Sequence, residues 1–454
     1  PSTRPSRDHP MPAVHPFRAV QYHAGRGDLS ALVAPPYDVL DAAAKARLLA
    51  KDARNVVAVD LPHTPAKELG PATAYDSAGA LYRKWLADGT LARRATPAMF
   101  AYRQTTRSAA GTSQRSGMAC CVDAVKFGPR PGGGILPHEE TFSGPKEDRL
   151  ALMKATQAQL SPIFGLHADE RGKATALLSA IMARGLPDIT AELGDGVFHE
   201  VWTVDDPQAI NAYRDALAGE DIFIADGHHR YGTGLTYIDH LGGAALPEDH
   251  QARRSMMVLV GMSDPGLIIW PTHRVLGGMA GYSIDAFLDA SKGLLDVSPA
   301  GTDIHALERT MTTAAATNVL GLYDFASGRC FTATPPQADP LRARFPDKPP
   351  AWRTLDVALV QHIVVEQVCQ PRLNAGEPVK WAFPHTIDEV VEIGKGSETG
   401  AGGGKGFKAQ LAVIVRPTPL DAVRDVSRAN QLMPQKSTFF YPKLLTGLFI
   451  NPLE

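Results

Sequence analysis

The chain has little cysteine, and its cysteines are spaced for neither metal nor disulfide chemistry. The four of them, Cys120, Cys121, Cys330 and Cys369, lack the C-x-x-C spacing of zinc and redox motifs. The adjacent pair is badly placed for a metal site or for a disulfide that closes a loop. This usage argues against a disulfide scaffold and favours a reducing, cytoplasmic environment.

Excess charge of either sign is also lacking. Lys and Arg number 46 and Asp and Glu 48, which leaves a formal net charge of −2 at pH 7. That balance is too even for a general nucleic-acid coat or a polybasic membrane binder, so any recognition of phosphate must be local. No stretch approaches the ~18 consecutive apolar residues of a membrane span, and the N-terminus lacks the apolar core of a signal peptide. We therefore expect no nucleic-acid or membrane partner, while the oligomeric state stays open.

At 454 residues the chain is long enough for several lobes. Alternating strand-like and helix-like segments predict a mixed α/β fold. We predict three parts: a disordered tail at 1–13, an α/β catalytic region at 14–275, and a second α/β region at 276–454 whose MPQKSTFFYPK segment returns to the site.

Short apolar runs and helical spacing predict individual elements. Strands are predicted at 55–61, 98–102, 222–226, 255–262 and 267–270, with the last three in one sheet. Helices are predicted at 74–91 and from Ser143 onward, where Pro145 suits a first turn. The proline-rich segment 335–350 is the best candidate for a linker.

The most informative segment is an apolar strand, IFIAD, that runs into Asp226-Gly227-His228-His229-Arg230 and then into helical spacing. The N–H groups that open a helix have no partners and carry the positive end of its dipole, so this position suits an anion. Gly227 allows close approach, and His228, His229 and Arg230 add donors for phosphate oxygens. Asp226 would cap the helix, hold Mg²⁺ or accept a proton. The segment therefore predicts a phosphate-binding turn.

A second charged cluster, LPHEETFSGPKEDRL, lies at a predicted junction of loop and helix. Glu139 or Glu140 is the expected base for a hydroxyl group that attacks a phosphoryl group. We expect Lys146 to hold the transferred phosphoryl group, and Arg149, with His138 nearby, to bind a substrate carboxylate. A solvated helix start with local ion pairs is the alternative.

Three further blocks supply candidate ligand-binding side chains. The segment MPQKSTFFYPKLLTGL offers lysines and hydroxyl groups that suit an oxyanion, namely Lys436, Ser437, Thr438 and Lys443. The PTHR block places His273 and Arg274 at the end of a predicted strand, where α/β sheets form sites. In VAPPYDVL, Asp38 either orients a substrate amine or caps the next helix. Docking of the C-terminal segment and structural salt bridges are the alternatives for the first two blocks.

The sequence IADGHHRY resembles the phosphate-binding motif of the ParB and sulfiredoxin superfamily. Over the wider chain, VAPPYDVL, LPHEETFSGPKEDRL, LSPIFGL, PTHR and MPQKSTFFYPKLLTGL resemble the signature blocks of the domain-of-unknown-function family numbered 1015. This resemblance implies a ParB/sulfiredoxin-like phosphate-binding core elaborated by further α/β segments. The superfamily includes free-serine kinases, so it also implies transfer of a phosphoryl group from ATP, ADP or pyrophosphate, with Mg²⁺, to free L-serine, giving O-phospho-L-serine.

Other activities of the superfamily fit less well. The sulfiredoxin motif needs a cysteine where this chain has His228, so thiol chemistry is not expected. A ParB-like protein that binds or hydrolyses CTP or ATP as a switch, with a DNA or protein partner, is the alternative function. Neither a Walker A motif nor the protein-kinase signatures occur, so the phosphate donor stays open, as does the choice between serine, threonine and another small hydroxylated metabolite.

Overall fold

A computed structural model of the chain describes residues 12–65, 68–108, 111–140, 143–314, 317–399, 402–404 and 406–454. The predicted tail at 1–13 lies outside these residues except for its last two positions. The chain folds into two compact units: unit 1 comprises residues 1–268 and 442–454, and unit 2 comprises residues 269–441. The predicted boundary at residue 275 lies close to this division, and the last thirteen residues belong to unit 1.

The strands of the described residues are β1 (Val14–His15), β2 (Val20–Tyr22), β3 (Gly27–Asp28), β4 (Leu91–Arg93), β5 (Met99–Ser108), β6 (Gly111–Asp123), β7 (Ile135–Leu136), β8 (Ala158–Gln159), β9 (Ile163–His167), β10 (Ile189–Glu192), β11 (Val197–Val204), β12 (Ile222–Asp226), β13 (Arg254–Gly261), β14 (Ile268–Trp270), β15 (Arg274–Gly277), β16 (Asp296–Pro299), β17 (Leu320–Asp324), β18 (Cys330–Thr334), β19 (Lys380–Ala382), β20 (Glu398–Thr399), β21 (Gly402–Gly403), β22 (Ala409–Ile414), β23 (Phe439–Tyr441) and β24 (Asn451–Pro452).

The α-helices are α1 (Ala42–Lys51), α2 (Val57–Asp60), α3 (Ala72–Ala87), α4 (Ser143–Thr156), α5 (Lys173–Met182), α6 (Pro207–Ala216), α7 (His228–His240), α8 (Ile284–Ala290), α9 (Ile304–Thr313), α10 (Pro350–Arg353), α11 (Asp356–Leu359), α12 (Ile387–Gly394) and α13 (Leu420–Arg428). A π-helix spans Val360–Leu373, and 3₁₀ turns span Tyr37–Val39, Gly243–Ala245 and Gln251–Arg253. None of the helices built from the described residues combines the length and the apolar composition needed to cross a bilayer.

The core of unit 1 is a ten-stranded mixed sheet in the described part of the chain. Its order is β3-β10-β11-β5-β6-β13-β9-β12-β7, and β1 pairs with β6 beside this path. The pairs β13–β9, β12–β7 and β10–β3 are parallel, and the other pairs are antiparallel. Apolar residues of α5 and α6 cover one face, where Leu178 and Tyr213 pack with strand residues such as Met118. The strand β12 is an uninterrupted buried apolar run, as expected deep in a sheet.

Unit 2 contains a six-stranded antiparallel sheet with the order β16-β18-β17-β22-β15-β19. One face packs against α8, α11, the π-helix and α13, through residues such as Phe287 and Val364. The other face packs against α9 and α12, through residues such as Leu307 and Val390. The sheet is therefore buried on both sides within its own unit.

The predicted mixed α/β class is confirmed. The predicted strands at 98–102, 222–226 and 255–262 belong to β5, β12 and β13, and the predicted helices become α3 and α4. Strands β12 and β13 share the large sheet, but the run at 267–270 was wrongly assigned to it, since β14 pairs with β23.

The strand prediction for 55–61 is wrong, because this segment contains the helix α2. A short apolar run fits either a buried strand or a buried helix. Here the side chain of Asn55 donates to the carbonyl oxygens of Ala31 and Val33 and accepts from the N–H of Val57, which fixes the helical turn.

The predicted linker at 335–350 is also wrong, because it lies within unit 2. Its Asp339 pairs with Arg353 at 2.8 Å, and its Leu341 is fully buried. These contacts hold the segment against its own unit.

Candidate functional site

The turn from β12 into α7 places a glycine at the N-terminus of the helix. The pairing of β12 with β9 shifts register between Ile224 and Asp226, a β-bulge that ends the regular ladder at the turn. Gly227 follows with φ 95° and ψ 26°, a conformation that strains residues with a Cβ. As the N-cap residue, Gly227 has no side chain that could accept from the first N–H groups of α7. The N-terminus of this 13-residue helix carries the positive end of its dipole, a position that suits an oxyanion.

Asp226 lies between two cations. The ammonium group of Lys443 donates to Asp226 Oδ2 at 3.2 Å, and Arg230 Nη2 lies 3.5 Å from the same oxygen. The side chains of Lys443 and Asp226 are only 20% and 21% exposed. Burial opposes ionisation, but Lys443 and Arg230 outweigh it and hold the pKa of Asp226 well below its usual value. One anion and two cations therefore stand beside the positive end of α7.

Lys443 reaches this turn from a C-terminal segment, residues 442–454, that is fixed on the sheet of unit 1. Arg115 donates to the carbonyl oxygen of Pro442, and Gln104 Nε2 donates to the carbonyl oxygen of Lys443 at 2.8 Å. Further along, the segment pairs with β8 through β24. The position of the Lys443 side chain is thus set by contacts with residues more than 300 positions earlier.

His228 and His229 occupy different environments. His228 is buried, its ring packs edge-on against that of His138 with centroids 4.7 Å apart, and its Nε2 accepts a hydrogen bond from the backbone N–H of His138 at 3.3 Å. Burial, followed by the proximity of His138, lowers the pKa of His228 well below its usual value. His228 is predicted as a phosphate donor, but its Nε2 accepts from the loop that precedes Glu139 and so does not donate to a phosphate in this arrangement. His229 is half-buried.

The loop and helix around the HEE sequence lie beside the same turn. Glu139 is half-buried, whereas Glu140 is exposed. From α4, Lys146 reaches α7: a Cβ built on Gly232 would lie 3.2 Å from its Cε and 3.7 Å from its Nζ. The bond from His138 to His228 and this contact bring the HEE loop and α4 to the N-terminal half of α7.

Arg149 is buried and already held by protein acceptors. Its Nε donates to Asp148 Oδ2 at 2.7 Å, and its Nη1 donates to the carbonyl oxygen of Asp60 at 2.6 Å. The guanidinium carbon lies 4.0 Å from the ring centre of Tyr37. Binding of a substrate carboxylate by Arg149 stays a prediction, and it would have to compete with these contacts.

A small cavity in unit 1 adjoins Arg149 and Arg230. Its polar lining includes Tyr37, Asp60, Ser161 and Thr233 as well as the two arginines. None of Asp60, Ser161 and Thr233 is predicted from the sequence as a functional residue. The only sequence signal for Asp60 is a carboxylate within an apolar run, which also fits the end of a strand.

Of the five predicted residues of unit 2, Arg274, His273 and Ser437 bond to backbone groups of that unit. Arg274 is buried and donates to the carbonyl oxygens of Gln435 and Lys436 at 3.2 and 3.0 Å. His273 Nδ1 accepts from the N–H of Val415 at 3.2 Å, and burial lowers the pKa of His273 to about 3. Ser437 donates to the carbonyl oxygen of Pro434, Lys436 is exposed, and Thr438 is half-buried.

Asp38 is exposed in the 3₁₀ turn Tyr37–Val39. The alternative that it caps the next helix is wrong, because Asp41 does so by accepting from the N–H of Ala44 at 2.6 Å. The cap lies three residues later because the 3₁₀ turn separates Asp38 from α1.

The side chains do not by themselves build a magnesium site. Within the described ranges, no group of three or more His, Cys, Asp or Glu side chains is placed to hold a metal ion. Asp226, the predicted ligand, is a single carboxylate shared by Lys443 and Arg230. Mg²⁺ is usually held by one or two carboxylates together with substrate phosphates and waters, so its binding by Asp226 stays a prediction.

The fold and the turn define an α/β protein with a candidate anion-binding site. The sequence profile of a family described as "Protein of unknown function (DUF1015)" matches residues 14–358. The match spans well over half of the chain, so the protein belongs to this family, as its sequence blocks suggest. Lys443 lies beyond the matched residues. A search of curated proteins finds no match.

Solved structures similar to this chain include a variant of a free serine kinase in complex with ADP, with a TM-score of 0.32 and 11% identity over 71% of this chain and 98% of that one. A free serine kinase in complex with AMP has a TM-score of 0.32 and 10% sequence identity, and the match covers 71% of this chain and 97% of that one. SbnI with a C-terminal truncation, from Staphylococcus aureus, has a TM-score of 0.31 and 11% sequence identity, and the match covers 70% of this chain and 84% of that one. Scores at this level carry no inference about the activity of this chain.

Proposed function

We propose that the protein is a phosphotransferase that moves a phosphoryl group from a phosphate donor to the hydroxyl group of free L-serine or a similar small hydroxy amino acid. The observation that carries this proposal is the N-terminus of α7, which begins at Gly227 in a left-handed conformation and has Arg230 and Lys443 beside it. Donor phosphate at this turn would accept hydrogen bonds from backbone N–H groups and face the positive end of the helix dipole. ATP, ADP and pyrophosphate are the candidate donors.

The ion pairs of Asp226 support this role. With a single carboxylate between Lys443 and Arg230, the turn keeps a surplus of positive charge for phosphate oxygens. The carboxylate also holds both cations at the turn before a donor binds. Phosphoryl transfer passes through a loose transition state, so positioning and neutralisation of charge supply most of the acceleration.

We assign the general base to Glu139. The acceptor hydroxyl oxygen attacks the terminal phosphorus of the donor, the bond from phosphorus to the bridging oxygen breaks, and the hydroxyl proton passes to the carboxylate. The sequence leaves Glu139 and Glu140 equivalent, but Glu139 is half-buried and follows the residue that bonds to His228, whereas Glu140 is exposed. A half-buried base on a fixed loop loses less entropy when it meets the substrate.

The test is formation of phosphoserine. The protein is incubated with L-serine, Mg²⁺ and each donor in turn, and O-phospho-L-serine is measured by mass spectrometry. Arg230→Ala should lower turnover at least ~100-fold, because it removes a cation from the transferring phosphate, whereas Arg214→Ala, at an exposed position of α6, should not. Absence of phosphoserine with every donor would contradict the proposal. Nucleotide binding that is indifferent to serine would favour the switch-protein alternative.

A further inference from the structure

The cavity beside Arg230 contains a buried carboxylate whose hydrogen-bonding capacity is only partly used. Asp60, the last residue of α2, is 4% exposed. Ser161 Oγ donates to its Oδ2 at 3.2 Å, and Arg149 Nη1 lies 3.5 Å from its Oδ1. An ionised carboxylate offers about four lone-pair positions. About half of the acceptor capacity of Asp60 is therefore left for a ligand in the cavity that it lines.

The serine and arginine donors beside Asp60 are engaged in other contacts as well. Ser161 has one proton, which it gives to Asp60, so Thr446, 2.7 Å away, donates to Ser161. The Nε and Nη1 of Arg149 bond to protein oxygens, and Arg230 donates through its Nη1 to the carbonyl oxygen of Pro162. The hydroxyl group of Thr233, which also lines the cavity, has no hydrogen-bond partner among the described residues. The charged group with capacity to spare is therefore Asp60, and its need is for a donor. A cationic donor meets it best, because hydrogen bonds between ions are the stronger ones.

The size of the cavity restricts what enters. Its volume is about 40 Å³, and on this measure a site needs about 10–15 Å³ to hold one water molecule. The cavity therefore has room for a small polar head group of a few heavy atoms. Arg230 lines the cavity and also contacts Asp226, so a ligand with its head group beside Asp60 would extend toward the phosphate-binding turn.

We propose that Asp60 binds the α-ammonium group of the amino-acid acceptor and so selects acceptors that carry a free amine. The acceptor identity rests on the proposed function. This assignment takes the place of Asp38, which the sequence suggests for the amine but which lies exposed in the 3₁₀ turn. A carboxylate in water gains little from an ammonium group, whereas a desolvated one discriminates strongly against a ligand without it.

Calorimetric titration tests the site without requiring catalysis. The ligands are L-serine, L-alanine, which lacks the hydroxyl group, and L-glycerate, which has a hydroxyl group in place of the amine. With the wild type, serine and alanine should bind and glycerate should bind at least ~100-fold more weakly. Asp60→Asn should weaken serine binding ~100-fold, whereas Asp76→Asn, at an exposed position of α3, should leave it unchanged.

The outcomes separate this inference from the proposed function. Equal affinities for serine and glycerate, no binding of either amino acid, or an Asp60→Asn variant that binds serine like Asp76→Asn would overturn it. If circular dichroism shows that Asp60→Asn does not fold, the comparison of serine with glycerate on the wild type decides. Amine-dependent binding without phosphoserine formation would leave the ammonium site standing and remove the kinase. Phosphoserine formation that is unaffected by Asp60→Asn would leave the kinase standing and remove the ammonium site.

Discussion

The ion pair between Lys443 and Asp226 joins the C-terminal segment to the turn, and its strength follows from the geometry. Two unit charges 3.2 Å apart attract by roughly 5 kcal/mol at an effective dielectric constant of ~20. Desolvation and the second cation, Arg230 at 3.5 Å, offset much of this. Exposed pairs contribute about 0–1 kcal/mol, and breaking a buried pair costs about 3–5 kcal/mol. With both side chains about one-fifth exposed, we expect a coupling free energy of about 1–2 kcal/mol.

A double-mutant cycle measures this coupling directly. The variants are Lys443→Met, Asp226→Asn and the double variant, and the free energy of unfolding is obtained from urea denaturation. Hydrogen exchange of peptides covering residues 222–240 shows whether the loss of stability lies at the turn. A matched cycle on Lys292 and Asp289, which are 2.7 Å apart and 77% exposed, should show no measurable coupling. Additive effects of the first two substitutions, within about 0.3 kcal/mol, would refute the pairing.

The pH dependence of the same cycle follows from the lowered pKa of Asp226. Because the folded-state pKa lies below the unfolded value of about 4, the carboxylate contributes its stabilisation above about pH 4 and loses it as the pH falls through the folded-state value. The coupling should therefore be the same at pH 6 and pH 8. A coupling that disappears between these two values would assign the charge to a different group.

Three further predictions concern stability. Gly227→Ala should lower the melting temperature more than Gly219→Ala. Both glycines have positive φ, but of the two only Gly227 would bring an added Cβ to within 3.0 Å of a guanidinium nitrogen, that of Arg230. Equal decreases in melting temperature would contradict this steric effect. Burial lowers the pKa of His167 to about 4, and neither ring nitrogen has a hydrogen-bond partner among the described residues. Since His167 takes up a proton below about pH 6.5 in the unfolded state, the free energy of unfolding falls as the pH drops from there toward 4. His167→Leu removes this loss, so it should raise the free energy of unfolding, measured by urea denaturation, by about 2 kcal/mol more at pH 5 than at pH 7.5. An effect of the substitution that does not depend on pH would contradict this. Tyr75→Phe removes the hydroxyl group that donates to Asp148 at 2.7 Å and should cost about 1–2 kcal/mol of unfolding free energy; an unchanged urea midpoint would show that water replaces the bond.

The parts of the fold and site that could be predicted from the sequence are those that local patterns determine. An apolar strand, a glycine and a helical repeat occur within twenty residues at β12 and α7, so their positions can be derived without knowledge of the rest of the chain. The same holds for α4, whose start at Ser143 follows from local helix-start signals. Roles at these positions, including those of His229 and Lys146, remain predictions.

The rest depends on contacts between distant residues. Asp60 could not be recognised because its apolar run reads as a strand, and the helix depends on the carbonyl groups that Asn55 binds more than twenty residues earlier. The partner of Asp226 lies 217 positions later, and no spacing rule connects the two. His228 has the right chemistry for phosphate, but only its contact with His138 shows that its Nε2 acts as an acceptor.

The central claim is that the turn at Gly227 holds the phosphate of the donor, and a crystal structure of the protein soaked with pyrophosphate tests it most directly. We predict phosphate oxygens within hydrogen-bond distance of the first backbone N–H groups of α7 and of the side chains of Arg230 or Lys443. Pyrophosphate bound at another place, with no contact to these groups, would contradict the account.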